Sequence, residues 1–175
     1  MHFKLQPLLL AAVLGAAPAL AGQKIAAVWG SGTYSVPNPG GTSGESGFSS
    51  GLDLVTENGE SIYGESYPDG YKPCVHAGGE IQLEQGCFGG AWYSFRCVAN
   101  QIGIPQECEV FGPQGNSLGS ATADTSTDFF GIGISSTGVC RVEFELVDGL
   151  SCGPDASGFK AHHTAWDSAE FGAPL

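Results

Sequence analysis

Between Val139 and Val147 the side chains alternate without a break: Val142, Phe144 and Leu146 fall on one side of the chain, Arg141, Glu143, Glu145 and Val147 on the other. A period of two is that of a β-strand with one buried face. The same rhythm sets Tyr93, Phe95 and Cys97 against Trp92, Ser94, Arg96 and Val98, and Ile81 and Leu83 against Glu80, Gln82 and Glu84. Leu52, Leu54 and Thr56 alternate with Asp53 and Val55, then Asn58-Gly59 supplies a strong turn signal before Ser61-Ile62-Tyr63 returns, which predicts a hairpin. Ile25, Ala27 and Trp29 indicate a first strand, Cys108 to Phe111 a strand paired with the one ending at Cys97, and 117–125 and 128–135 two more.

The intervening residues 35–47 are rich in Gly, Ser, Pro and Thr and read as loop. Strand candidates recur about every ten residues with turns between them and no helical period, which predicts an all-β fold: an antiparallel, jelly-roll-like β-sandwich. Beyond Cys152 the alternation stops, so 153–175 reads as a loosely ordered tail after a domain spanning 22–152.

The N-terminal residues change the picture of location. Lys4, an apolar run from Leu8 to Leu14 and the small-residue pattern Ala19-Leu20-Ala21 form a secretory signal peptide over residues 1–21. No later run is long and apolar enough to cross a bilayer, and a soluble, secreted, extracellular product is expected. There the six cysteines, Cys74, Cys87, Cys97, Cys108, Cys140 and Cys152, are expected to form three disulfides. Hairpin geometry favours neighbours, Cys74 with Cys87, Cys97 with Cys108 and Cys140 with Cys152, although sequence alone leaves the other connectivities open.

The chain carries eighteen acidic and six basic residues, a formal charge of −12. Nucleic acid and anionic membranes, which are held by Lys and Arg, are poor partners for such a surface. Neutral glycans and host or cell-wall proteins remain.

Candidate chemistry is sparse. Gly47-Phe-Ser-Ser-Gly51 matches a nucleophile elbow in spelling, but neither a buried strand before it nor a helix after it is expected. Glu80 with Glu84, Glu107 with Glu109 and Glu143 with Glu145 are carboxylate sets on strand faces, the requirement for an alternative reading as a glycan-active hydrolase or lyase. No Cys-x-x-Cys or Cys-x-x-His spacing marks a zinc site, and the histidines His76, His162 and His163 form no ligand pattern on extended chain. No cofactor is expected. Calcium is the one ion with possible ligands, at Asp124 and Asp128 or at Glu57, Asn58 and Glu60. The best binding surface is the run from Tyr63 to Tyr71: Tyr63, Tyr67 and Tyr71 offer rings to stack on sugars, and Glu65 and Asp69 offer acceptors for their hydroxyls.

Tyr93-Ser-Phe-Arg-Cys97, Gly103-Ile-Pro-Gln-Glu-Cys108-Glu-Val, Gly112 and Val142-Glu-Phe-Glu-Leu together resemble small cysteine-containing secreted β-sandwich proteins of filamentous fungi, over about the middle third of the chain. The resemblance implies secretion, a sandwich fold and an effector-like or cell-wall-associated role, and it carries no catalytic residues.

Overall fold

A computed structural model describes residues 22–37, 45–72, 79–154 and 157–165. The expected signal peptide, Cys74, His76 and the end of the expected tail lie outside them. Ten strands form two antiparallel five-stranded sheets. In chain order they are β1 (Lys24–Val36), β2 (Glu45–Thr56), β3 (Ser61–Glu65), β4 (Gly79–Glu84), β5 (Trp92–Ala99), β6 (Pro105–Phe111), β7 (Ser117–Thr122), β8 (Asp124–Phe130), β9 (Gly133–Glu145) and β10 (Lys160–Ala165). One sheet runs β3-β2-β1-β9-β8 and the other β10-β4-β5-β6-β7. This order builds a sandwich from meanders; it establishes the sandwich without the jelly-roll wrapping.

The period of two sets the core. Ile25, Ala27 and Trp29 of β1, Leu52 and Leu54 of β2 and Val142 and Phe144 of β9 are buried against Ile81, Leu83, Tyr93, Phe95 and Val110 of the facing sheet. Each alternating apolar position removes a side chain from water, worth about 1.5–3 kcal/mol for a large one.

Two expected element boundaries need correction. Residues 35–36 and 45–47 belong to strands: β1 and β2 stay paired out to Val36 and Glu45 because the ladder needs backbone groups, not apolar side chains. Part of the expected tail is also strand, for Lys160–Ala165 pairs with Glu84–Gly79 of β4.

The disulfides do not join neighbours in sequence: one bridges the two sheets, and the other ties the turn between β4 and β5 to the segment between β9 and β10. Cys108 of β6 bonds Cys140 of β9, and Cys87 bonds Cys152. Cys97 is disulfide-bonded as well, to a partner outside the described residues. Cys97 and Cys108 do stand opposite each other in the β5–β6 ladder. Their side chains point into the interior, where Cys108 meets the other sheet, so the favoured neighbour pairing fails.

At Cys108–Cys140 the Cα atoms are 6.1 Å apart, well inside the ~10 Å of sheets packed face to face. The sandwich is a wedge, closed along β6, β7 and β9. Missing side chains permit this approach: a Cβ on Gly138 would lie 2.6 Å from Ile104 Cγ2 and 3.0 Å from Pro105 Cδ, and one on Gly119 would lie 2.9 Å from the Glu143 carbonyl oxygen. Gly138→Ala is expected to cost about 1–3 kcal/mol by overpacking, read as a lower denaturant midpoint with an unchanged slope; an unaltered midpoint would show that the closed side can relax. Aromatic rings fill the other side, where Phe88 contacts Tyr93 and Phe159, and Phe159 contacts Tyr63.

Candidate functional site

The tyrosine run begins as β3 and leaves it as a loop. Tyr63 stands opposite Leu54 on the core side, its ring 5.1 Å from that of Phe159 and its hydroxyl donating to Glu65 Oε2 at 2.8 Å. Burial, then the hydrogen bond to Glu65, then the charges of Glu65 and Asp53 push its phenol above the ordinary range. The pair therefore braces the edge of the core.

Next comes a 3-10 turn, Pro68–Gly70, in which Asp69 takes a left-handed φ of 52°, a conformation that Asp tolerates better than most residues. Asp69 Oδ2 accepts the His163 backbone N–H at 2.9 Å, and the Tyr71 ring stacks on His163 at 3.8 Å. The loop is thus fastened to β10. Tyr67 and Tyr71 are 45% and 47% exposed, so of the three expected rings these two face solvent, Tyr71 with one face taken by His163. Lys72 Nζ lies 4.9 Å from the Phe48 ring centre and 5.9 Å from that of Tyr67. His163 and Phe48 were not foreseeable from local pattern, since each arrives from a different strand, whereas Lys72 directly follows Tyr71.

A second surface lies on the outer face of β1, β2 and β9. There Gly32 pairs with Ser49 and Thr137, and Tyr34 with Gly47 and Ser135. Without side chains at 32 and 47 the sheet dips into a groove of about 410 Å³. The Tyr34 ring lies over Gly47, at the place a Cβ would occupy, and Ser49, Ser135 and Thr137 supply hydroxyls along the sides. No charged residue lines it, although the chain carries a net charge of −12. The Gly47–Gly51 run sits inside β2, so its spelling makes no nucleophile elbow.

Three of the six carboxylates considered for hydrolysis are engaged elsewhere. Glu80, expected on a solvent face, has only 5% of its side chain exposed and receives Arg96 Nε at 2.6 Å and Gln82 Nε2 at 2.7 Å. Burial alone would raise its carboxyl, but hydrogen bonds from Gln82, Arg96 and Ser94, with the Arg96 charge, hold it below the ordinary carboxylate range. Arg96 in turn lies 4.2 Å from the Phe111 ring centre. Glu84 pairs with Lys160 and Glu143 with Arg141. Glu107 and Glu109 border a groove of about 340 Å³ with Ser120 and Thr122.

Asp124 and Asp128 stand four residues apart on a straight strand, ~13 Å, too far to share one calcium ion. Among the described residues no group of three or more His, Cys, Asp or Glu side chains converges on a metal position, and no helix is long and apolar enough to cross a membrane. Comparison with known proteins finds no matching family model, no matching curated protein and no matching solved structure.

Proposed function

We propose that the chain is a secreted, non-enzymatic binding module that holds a neutral cell-wall or host glycan, in keeping with the effector-like role that its fungal resemblance implies. One observation carries this reading: the groove on β1, β2 and β9 is uncharged, walled by an exposed Tyr34 ring and rimmed by hydroxyls. A ring face accepts the apolar C–H face of a sugar while Ser and Thr exchange hydrogen bonds with its hydroxyls. Tyr67, on the loop after β3, is the competing contact.

The test is binding of the mature chain to insoluble chitin, β-glucan, cellulose and mannan. Tyr34→Ala is expected to weaken binding at least ~10-fold, the value of one buried aromatic face. Gly32→Ala is a second probe, because its Cβ would meet Thr137 Cγ2 at 3.4 Å and Ser49 Oγ at 3.5 Å, ordinary contacts that leave the strand unstrained while raising the groove floor. Loss of binding in Tyr67→Ala alone would move the site to the loop, and silence on every polysaccharide would reject a glycan in favour of a protein target.

The hydrolase alternative has one surface in its favour. Glu107 and Glu109 share a strand face, ~7 Å apart, beside the smaller groove, but no aromatic ring lines that groove to hold a sugar. Release of reducing ends from a bound polysaccharide, abolished by Glu107→Gln, would select it.

A further inference from the structure

Sheet edges are where a chain meets other chains, because half of an edge strand's backbone groups lack partners. Of the four edges here, β3 has only five residues and a register shift in its pairing. The β7 ladder also shifts register and β7 contains Gly119, while β10 opens with Lys160. The remaining edge, β8, differs. Its seven residues, Asp124-Thr-Ser-Thr-Asp-Phe-Phe130, hold no Lys, Pro or Gly, pair with β9 in unbroken register and are all exposed.

Phe130 pairs with Gly133, leaving Gly131-Ile132 as a two-residue hairpin loop with Gly131 at φ 60°, the glycine-first arrangement that suits such turns. The closing pair of such a loop is hydrogen-bonded, so positions 130, 128, 126 and 124 exchange bonds with β9. Thr125, Thr127 and Phe129 therefore direct their N–H and C=O groups outward. Apolar side chains cluster at the same end: Phe129 is 79% exposed and Ile132 59%.

We infer that β8 is a homodimer edge, pairing antiparallel with β8 of a second copy about a two-fold axis through Thr127. The strand's own sequence selects that occupant. In this register Thr127 meets the partner's Thr127, and Thr125 meets the partner's Phe129, using all three outward residues of each strand. No two charges stand directly opposite: Asp128 faces the partner's Ser126, and Asp124 the partner's Phe130. The nearest like-charge approaches, Asp128 to the partner's Asp128 and Asp124 to the partner's Asp128 with its symmetry mate, are all diagonal, ~7–8 Å, and weakened by physiological salt. The product is a continuous ten-stranded sheet in which Phe129 covers the methyl group of the facing threonine.

Sedimentation velocity on the mature chain, over a range of concentrations, tests the pairing. A concentration-dependent dimer is expected. Thr127→Pro removes an outward N–H without touching the bonds to β9, a substitution that edge strands accept, and should raise the dissociation constant at least ~10-fold with an unchanged circular dichroism spectrum. Thr127→Lys and Thr127→Glu each set like charges opposite each other and should be monomeric alone. Mixed in equal amounts, they should re-form the dimer. A chain that stays monomeric at ~1 mM overturns the inference, as does a dimer that survives Thr127→Pro or a Lys and Glu mixture that stays apart.

Discussion

Replacing Cys87 and Cys152 together by Ala is expected to lower the stability of the folded chain by about 4 kcal/mol. The bridge spans 65 residues, and loop-closure entropy in the unfolded chain grows with the logarithm of that span. The expected loss for Cys108→Ala with Cys140→Ala is slightly smaller, because its loop is 32 residues and the same relation yields ~3.7 kcal/mol. The two differ in kind as well. Cys108–Cys140 sits where the sheets converge and its sulfurs are packed in the core, so its removal also opens a small void. Urea titration of both double variants checks this. If either leaves the midpoint unmoved, contacts on the closed side hold the sheets together without it.

Arg96→Met should destabilise the chain by about 3 kcal/mol, since removing one partner leaves the Glu80 carboxylate buried and uncompensated. Arg96→Met with Glu80→Gln should recover most of the loss, because a buried charge no longer remains. A pH dependence follows with a definite sign. Glu80 ionises more readily folded than unfolded, so its contribution is complete above the ordinary carboxylate value of about 4.3 and declines as pH falls through its depressed folded value. Wild-type stability should therefore fall on acidification more steeply than that of Glu80→Gln. Parallel slopes in the two proteins would mean that the ion pair is no stronger folded than unfolded.

The fold was legible wherever burial follows a period of two. Val142, Phe144 and Leu146 are buried, with Arg141, Glu143 and Glu145 exposed, because a half-buried strand has no other way to satisfy both faces. Asn58-Gly59 likewise marks a real turn: Gly59 has φ 83° and its N–H reaches the Thr56 carbonyl. The errors arose where the deciding neighbour lies on a distant strand. Glu80 looks like a solvent-facing residue until Arg96 is placed across from it. Cys97 and Cys108 look like a pair until β9 brings Cys140 to Cys108.

The candidate groove was hidden for a different reason. Gly32 and Gly47 shape it by what they lack, and Gly47, at the end of a stretch rich in Gly, Ser, Pro and Thr, reads locally as loop. The expected tyrosine run was visible as chemistry, but its division into core brace and exposed ring depends on Phe159 and His163, which arrive about ninety residues later in the chain.

The central position of β1 constrains how this protein is made. Ile25 pairs on one side with Thr56 and on the other with Phe144, so the first strand to be synthesised receives its second neighbour only when nearly the whole chain exists. Such distant pairings fold slowly because the intervening chain must be ordered first. Until β9 emerges, the hairpin of β1 and β2 presents a long bare edge, and oxidation in that interval finds Cys74, Cys87, Cys97 and Cys108 together without Cys140 or Cys152. Premature bonds among the early cysteines would have to be reshuffled, making thiol exchange, rather than strand formation, the expected slow step of maturation.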